Sequence, residues 1–406
     1  MADKKRLIMI SQRYPYGAGE VYLERELKFF SKYFDSVLLY PLQKLESKRA
    51  IPENVELNNL FCNRTHKVNK VFALKKWKSA NRIINEEIEN TVSGSEYLKI
   101  HKKDFLAQLF MNYELADSFY DSFHQDSDDF ETSFYSVWLD EGAVMMSLLK
   151  RAGKINSFAL RLHGYDLYDD RREGQYMPFR NLCFKEASRV FVVSETGADY
   201  TRQLNVFPEK VIANYSGLYD HGMTKPKDDE FHIVSCSNLV GLKRVDQVVG
   251  ILKDLKVAIK WTHFGDGVEM EKIQSLASTL PDNIKYELKG HVNYEDLIQY
   301  YSDNHVSLFI HLSASEGLPL AIVEAMSFGI PAIACDVGGV AEVVSEKEGF
   351  LISKEIDISL IQSQIIELFE DETLRLKLAE GAREKFLEKF EAEKNYTFFT
   401  NQLIKA

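Results

Sequence analysis

The chain has 406 residues, more than one hydrophobic core ordinarily serves, so two domains are expected. Hydrophobic residues make up 45% and charged residues 27%, the balance of a globular protein with room for large cores. Fifty basic and 61 acidic side chains leave a net charge of -11, which argues against nucleic acid as a global partner but leaves room for a local basic patch.

The four cysteines, Cys62, Cys183, Cys236 and Cys335, are far apart and form no Cys-x-x-Cys pair. Buried free thiols in a reducing compartment are the expected reading. The apolar run Leu7–Ile10 is too short for the core of a signal peptide. No stretch of 18 apolar residues occurs, so a cytoplasmic protein is expected.

Arg6–Ser11 reads as a buried strand, followed by the turn-rich Tyr14-Pro15-Tyr16-Gly17-Ala18-Gly19. A helix over Glu20–Tyr33 and a strand over Val37–Tyr40 complete the opening of a doubly wound parallel fold. Residues 45–130 break this rhythm and read as a charged helical insertion. From Leu57 to Asn85 the charges are Arg64, Lys67, Lys70, Lys75, Lys76, Lys78 and Arg82, with no acid among them. Such a run is ordinarily a solvated helix face. With Val68, Val71, Phe72, Leu74 and Trp77 interleaved, anionic lipid is the other reading.

Strand patterns return at Phe134–Trp138, Ser157–Leu162, Val190–Val193 and Val211–Ala213. Residues 221–230 have no apolar period and read as a linker. A second series of strands follows at Phe231–Cys236, Ala258–Phe264, Tyr286–Leu288, Val306–His311 and Ile330–Cys335. The expectation is an α/β protein with two Rossmann-like doubly wound domains facing across a cleft. The first spans 1–220, the second 230–380, and a helix over 381–406 crosses back to the first.

The chemistry concentrates after Val306–His311. A polar loop, Ser313-Ala314-Ser315-Glu316-Gly317, leads to Pro319, which suits a first helical turn because it needs no donor there. The helix is expected to run to Phe328 and to stop at Gly329. Ligands of open α/β sheets bind beyond the carboxyl ends of the strands. Free amides of Leu318, Leu320 and Ala321 at the helix start would form an anion site suited to a diphosphate. Glu316 in the loop and Glu324 inside the helix would line the crevice at two depths, as acceptors for hydroxyl groups. A plain turn with a solvated helix glutamate is the blander reading.

The run Ser313–Gly339 resembles the donor-binding signature of the retaining glycosyltransferases of family 4, which have the two-domain GT-B fold. The resemblance implies that Glu324 holds the nucleotide ribose, that Glu316 sits beside the donor hexose, and that Gly317, Leu318 and Leu320 hold the diphosphate. Other segments agree, and the resemblance covers most of the chain outside 45–130. The loop with Gly17 and Gly19 is similar to the glycine loop that approaches the donor phosphates. Arg161–Tyr168 resembles the segment whose histidine, here His163, lies near the transferred sugar. Phe264–Glu269, with Gly265, resembles the glycine turn beside the donor, and Gly290-His291-Val292 the loop that flanks the base.

One position departs. The family commonly has an arginine after the strand ending near Ser237, then a lysine five residues on. Here these are Asn238 and Lys243, with Arg244 next as a candidate replacement. The residues leave plainer readings open: His163 as a core histidine, Asp166 as a turn cap, Asp266 as a turn residue, His291 as an exposed loop histidine. Asp128-Asp129 and Asp169-Asp170 sit in charged, loop-like contexts, so no metal is expected.

The resemblance implies a metal-independent, retaining transfer from a nucleotide diphosphate sugar to a hydroxyl of a glycan or lipid-linked glycan in surface polysaccharide biosynthesis. A UDP-sugar is favoured over a GDP-sugar, and Glu316, His163 and Lys243 are the catalytic candidates. Peripheral contact with an anionic membrane through Arg64–Arg82 would suit a lipid-linked acceptor. A non-catalytic subunit that assists a partner transferase, or a nucleotide-sugar epimerase of the same fold, are the alternatives.

Overall fold

The structure, a computed structural model, describes residues 4–17, 19–62, 70–91, 94–124, 130–204, 206–225 and 230–405. The chain divides into two compact units: Met1–Ser216 with Asn395–Ala406, and Gly217–Lys394. The division falls before the expected linker, and the return to the first unit begins at Asn395 rather than at 381.

Unit 1 is built on strands β1 (Lys4–Ser11), β2 (Ser36–Pro41), β3 (Val55–Leu57), β4 (Phe130–Ser136), β5 (Ala159–Leu162), β6 (Arg189–Val192) and β7 (Val211–Ala213). All pair in parallel, in the order β3-β2-β1-β4-β5-β6-β7. Parallel strands need helical crossovers that cover both faces, so central strands become continuous apolar runs. Leu7, Ile8, Met9 and Ile10 of β1 are accordingly all buried. The helices are α1 (Tyr22–Phe30), α2 (Lys70–Asn90), α3 (Ser95–Ile100), α4 (Lys102–Asp121), α5 (Glu141–Arg151), α6 (Arg180–Glu186) and α7 (Glu195–Gln203).

The segment expected to be wholly helical carries β3, a three-residue edge strand too short to leave a periodic pattern. Its helices α2 and α4 belong to the main core, where Ile83, Ile84, Leu109, Phe110 and Phe119 join Leu148 and Phe184. Arg64, Lys67 and Val68 of the basic run, and the Asp128-Asp129 pair, lie outside the described residues.

Unit 2 contains β8 (Phe231–Cys236), β9 (Ile259–Phe264), β10 (Ile284–Leu288), β11 (Leu308–His311), β12 (Ala332–Cys335) and β13 (Gly349–Ile352). They form a parallel sheet in the order β10-β9-β8-β11-β12-β13. Its helices are α8 (Val245–Lys253), α9 (Met270–Ala277), α10 (Tyr294–Asp303), α11 (Leu320–Ser327), α12 (Val340–Val343), α13 (Ile358–Glu370) and α14 (Glu372–Lys385). Strand β13 was not among the expected strands, because four residues, Gly-Phe-Leu-Ile, show no period. The expected long tail helix is broken by a π-turn at Phe386–Phe390, after which α15 (Ala392–Ile404) begins. Within unit 1, Phe399 of α15 packs edge-on against Tyr135 and Phe191 and carries the Arg161 guanidinium over its ring.

In each sheet the strand order reverses beside the first strand of that unit, between β1 and β4 and between β8 and β11. The loops that leave the carboxyl ends of those four strands therefore open at a switch-point crevice in each unit.

Candidate functional site

In unit 2 the loop after β8 and the loop after β11 are stitched together. The Ala314 amide donates to the Leu242 carbonyl at 2.8 Å. That contact brings Lys243 to Glu316: Nζ lies 2.5 Å from Oε1. The same oxygen is 2.7 Å from Nε2 of His311, the last residue of β11. Burial pushes the Glu316 carboxyl up, but the His311 hydrogen bond and charge and the Lys243 ammonium outweigh it, and the net result is about 2. Glu316 is thus a fixed carboxylate at the switch point, an acceptor and not an acid at neutral pH.

Glu324 lies on α11. Its charge and that of Lys243 both act on the Cys236 thiol at the end of β8, which burial, then Glu324, push up to about 12 against Lys243. Glu324 and Lys243 therefore both lie within electrostatic reach of Cys236. At the start of α11 the Leu320 amide is not free as expected: it donates to the Leu318 carbonyl at 3.0 Å, because Pro319 turns the chain tightly before the helix. Gly317 holds the loop from the other side, its carbonyl accepting the Gly339 amide at 2.9 Å.

The glycine turn after β9 lies against the loop after β8. A Cβ on Gly265 would stand 1.9 Å from the Ser237 carbonyl oxygen, and one on Gly267 would stand 2.4 Å from that of Leu239. Asp266 serves this turn, with its backbone carbonyl accepting the Leu239 amide at 2.9 Å. Gly265 also donates to the Gly290 carbonyl at 2.8 Å, which sets the exposed His291 beside the turn. Asn238 is exposed in the same loop. Arg244 departs from the others: its guanidinium donates to the Lys354 carbonyl at 2.8 Å, in the loop after β13.

In unit 1 the organiser is Glu20, which the sequence marks only as the start of an expected helix. Glu20 has a left-handed backbone, and its carboxylate accepts the amides of Gln12 (3.1 Å), Arg13 (2.7 Å) and Tyr14 (2.7 Å) and the Trp138 indole N–H (2.7 Å). It closes the loop that carries Gly17 and Gly19 onto the segment after β4. Gly17 has φ +69°, and the Gly19 carbonyl accepts from Arg49; Ala18 lies outside the described residues.

His163 follows β5, its ring between Tyr22 (4.8 Å) and Trp138 (4.3 Å). Both ring nitrogens are buried without a hydrogen-bond partner. Burial, with the Arg161 charge behind it, holds the imidazole well below its ordinary value, hence neutral. Asp166 bridges loops, accepting the amides of His163 at 2.8 Å and Leu139 at 3.0 Å. Arg161 lies fully buried and pairs with the equally buried Glu26.

His311 and Glu20 are the two residues that the sequence did not single out. His311 was visible only as a strand residue, although its place five before Glu316 was a usable signal. The Glu20 role depends on an indole 118 positions away, which no local pattern announces. Among the described residues no group of three or more His, Cys, Asp or Glu is placed to hold a metal ion.

Residues 220–385 match the family model of glycosyl transferases group 1. Among curated proteins the chain is 30% identical over 247 residues to the N-acetyl-alpha-D-glucosaminyl L-malate synthase of Bacillus anthracis. That match covers 57% of this chain and 64% of the synthase, just under two thirds of its length. It is 22% identical over 281 residues to the putative colanic acid biosynthesis glycosyltransferase WcaL of Salmonella typhimurium, covering 66% of this chain and 69% of that one. Among solved structures, Anabaena HepE in complex with UDP superposes with a TM-score of 0.68 at 17% identity, covering 99% of this chain and 100% of that chain.

Proposed function

We propose that the chain is a glycosyltransferase of the group 1 type, whose two-domain GT-B fold it shares, and that it moves a sugar from a UDP-sugar to a hydroxyl of a glycan or lipid-linked glycan in surface polysaccharide biosynthesis. The observation that carries this reading is the Lys243–Glu316–His311 cluster at the switch point of unit 2, with Glu324 and Cys236 beside it. UDP is favoured because HepE, which shares the fold, is a UDP complex.

Transfer breaks the bond between the anomeric carbon and the diphosphate, and the departing diphosphate must be stabilised. Lys243 is the cation for that task. Its ammonium lies beside Glu316, and in the proposed reaction it serves the phosphates while Glu316 accepts a hydroxyl of the sugar. Glu324 accepts the ribose hydroxyls. The Leu318 and Ala321 amides at the start of α11 contribute partial positive charge. In unit 1, His163, neutral and with both ring nitrogens lacking a hydrogen-bond partner, is the candidate polar group. We assign the transfer as retaining and metal-independent, and the protein to the cytoplasmic side of a membrane.

Thermal-shift titration with UDP, GDP and ADP tests the reading. Stabilisation by UDP, lost in Glu324→Ala, is expected. Absence of any response to all three nucleotides would overturn it.

A further inference from the structure

Helix α2 presents two unlike faces. Ala80, Ile83, Ile84 and Glu87 point into the core of unit 1. The opposite face of its first half leaves Leu74 77% and Trp77 50% exposed, with Val71 at 65%. Lys70, Lys75, Lys78 and Arg82 share that exposed face. Residues 70–85 contain five cations and no acid, in a chain whose net charge is -11.

Of the charges on this face, Arg82 is paired with Glu86, and Lys75 and Lys78 are not cancelled from below. Lys76 turns inward, its ammonium 5.0 Å from the centre of the Tyr113 ring. Glu86, the first acid along the helix, is taken by Arg82 at 2.8 Å, Arg151 at 3.0 Å and Lys185 at 3.6 Å. Among the described residues neither Lys75 nor Lys78 has an acidic partner. Trp77 is backed by Phe110, with ring centroids 6.1 Å apart and nearly parallel, so the indole is held outward on a firm base.

We propose that this face of α2 seats the protein on the surface of an anionic lipid bilayer, with Leu74 and Trp77 entering the headgroup boundary and Lys70, Lys75 and Lys78 meeting the lipid phosphates. Cations alone would suit any polyanion. An exposed leucine and tryptophan among them gain nothing from a nucleic-acid backbone but lose water on entering an interface. Each lysine near such a surface strengthens binding roughly fivefold, and burial of one leucine side chain roughly tenfold. The inference goes beyond the donor chemistry and does not depend on it.

Co-sedimentation of the full chain with phosphatidylcholine vesicles, with or without phosphatidylglycerol, at low and high salt, tests the docking. Binding is expected only with phosphatidylglycerol, and it should weaken as salt rises. The double variant Lys75→Glu/Lys78→Glu should bind at least about 25-fold more weakly, and Leu74→Ser roughly tenfold more weakly. Both variants should keep their circular dichroism and their UDP thermal shift, because all three positions are exposed and none belongs to the loops that form the switch point of unit 2. The proposal is overturned if the wild type ignores phosphatidylglycerol, or if the variants bind vesicles as well as it does. It is also overturned if Leu74→Ser dissolves a dimer in sedimentation velocity while vesicle binding persists, since the face would then be a contact between copies. Loss of the UDP response with vesicle binding intact would instead sink the proposed transfer and leave the docking standing.

Discussion

Gly338 lies directly beneath Glu316: a Cβ built on it would stand 2.0 Å from the Glu316 carbonyl oxygen. Its φ of +57° adds a second demand for glycine. The Glu316 backbone is therefore set by how closely the loop after β12 can approach. Gly338→Ala must push that loop away and move the carboxylate from His311 and Lys243. We expect a stability loss of about 2–4 kcal/mol and at least about a hundredfold loss of transfer, as a misplacement near 1 Å costs. Gly153→Ala is the control, since Gly153 has φ +69° with nothing within 4 Å of its Cβ. It should cost only about 1–2 kcal/mol. Urea unfolding of the two variants separates the contact from the backbone penalty, and equal costs would mean that the Glu316 contact has no weight.

Glu20 holds three amides and an indole with two oxygens. A glutamine there keeps one accepting oxygen and turns an NH2 group toward two donors. Glu20→Gln should therefore be nearly as harmful as Glu20→Ala, at about 2–3 kcal/mol. Denaturant midpoints of the two variants check this. A glutamine variant as stable as the wild type would show that the negative charge and the second acceptor are dispensable.

The doubly wound plan was legible because it rests on apolar runs such as Leu7–Ile10 and Phe231–Cys236, which a strand buried on both faces requires. The short strands β3 and β13 were not, since three or four residues carry no period. At the site, Glu316 and Glu324 stood out by local order (strand, polar loop, Pro319, helix, Gly329), and Lys243 only through the resemblance to the family. What those residues touch was not. The hydrogen bond from His311 follows from the bend of the loop between them. The Leu320 amide is consumed by a turn that a count of helix-start amides overlooks, and Arg244 spends its guanidinium on Lys354. Contacts of that kind are set by tertiary approach, which spacing along the chain does not encode.

Glu87 of α2 is buried and accepts the Leu182 amide at 2.7 Å, with Tyr176 and Asn181 alongside. Burial pushes its carboxyl up to about 7, against those hydrogen bonds. The folded value lies above the unfolded one near 4.5, so its contribution to stability is fully present below pH 4.5 and is lost as pH rises through 7. The span is on the order of 3 kcal/mol. Glu87→Gln keeps an acceptor for Leu182 and no longer titrates. Its melting temperature should exceed that of the wild type at pH 8 and draw level near pH 5. A wild-type excess that is the same at both pH values would contradict the assignment.

Glu316 has the opposite sign. Its folded value, about 2, lies below the unfolded one, so its pairing with His311 and Lys243 stabilises above pH 4.5 and is lost as pH falls toward 2. At neutral pH the cluster is intact, and the pH dependence of transfer should show no acid limb from this carboxylate above pH 4. The roles of its members separate by kinetics. On the proposed reaction Glu316→Ala would remove a contact to the sugar and should chiefly lower kcat, by roughly a hundredfold. On the same reaction Lys243→Ala would remove the countercharge of the leaving diphosphate and should lower kcat by a similar factor, since donor-removal costs of that order are known for charge that develops in the transition state. If Glu324 holds the ribose as proposed, Glu324→Ala should instead raise KM for the donor and abolish the UDP thermal shift, because such a contact is equal in ground and transition states. Steady-state kinetics with the donor varied distinguish the three. If Glu324→Ala lowered kcat and left KM unchanged, its carboxylate would belong to the reacting end of the donor and not to the ribose.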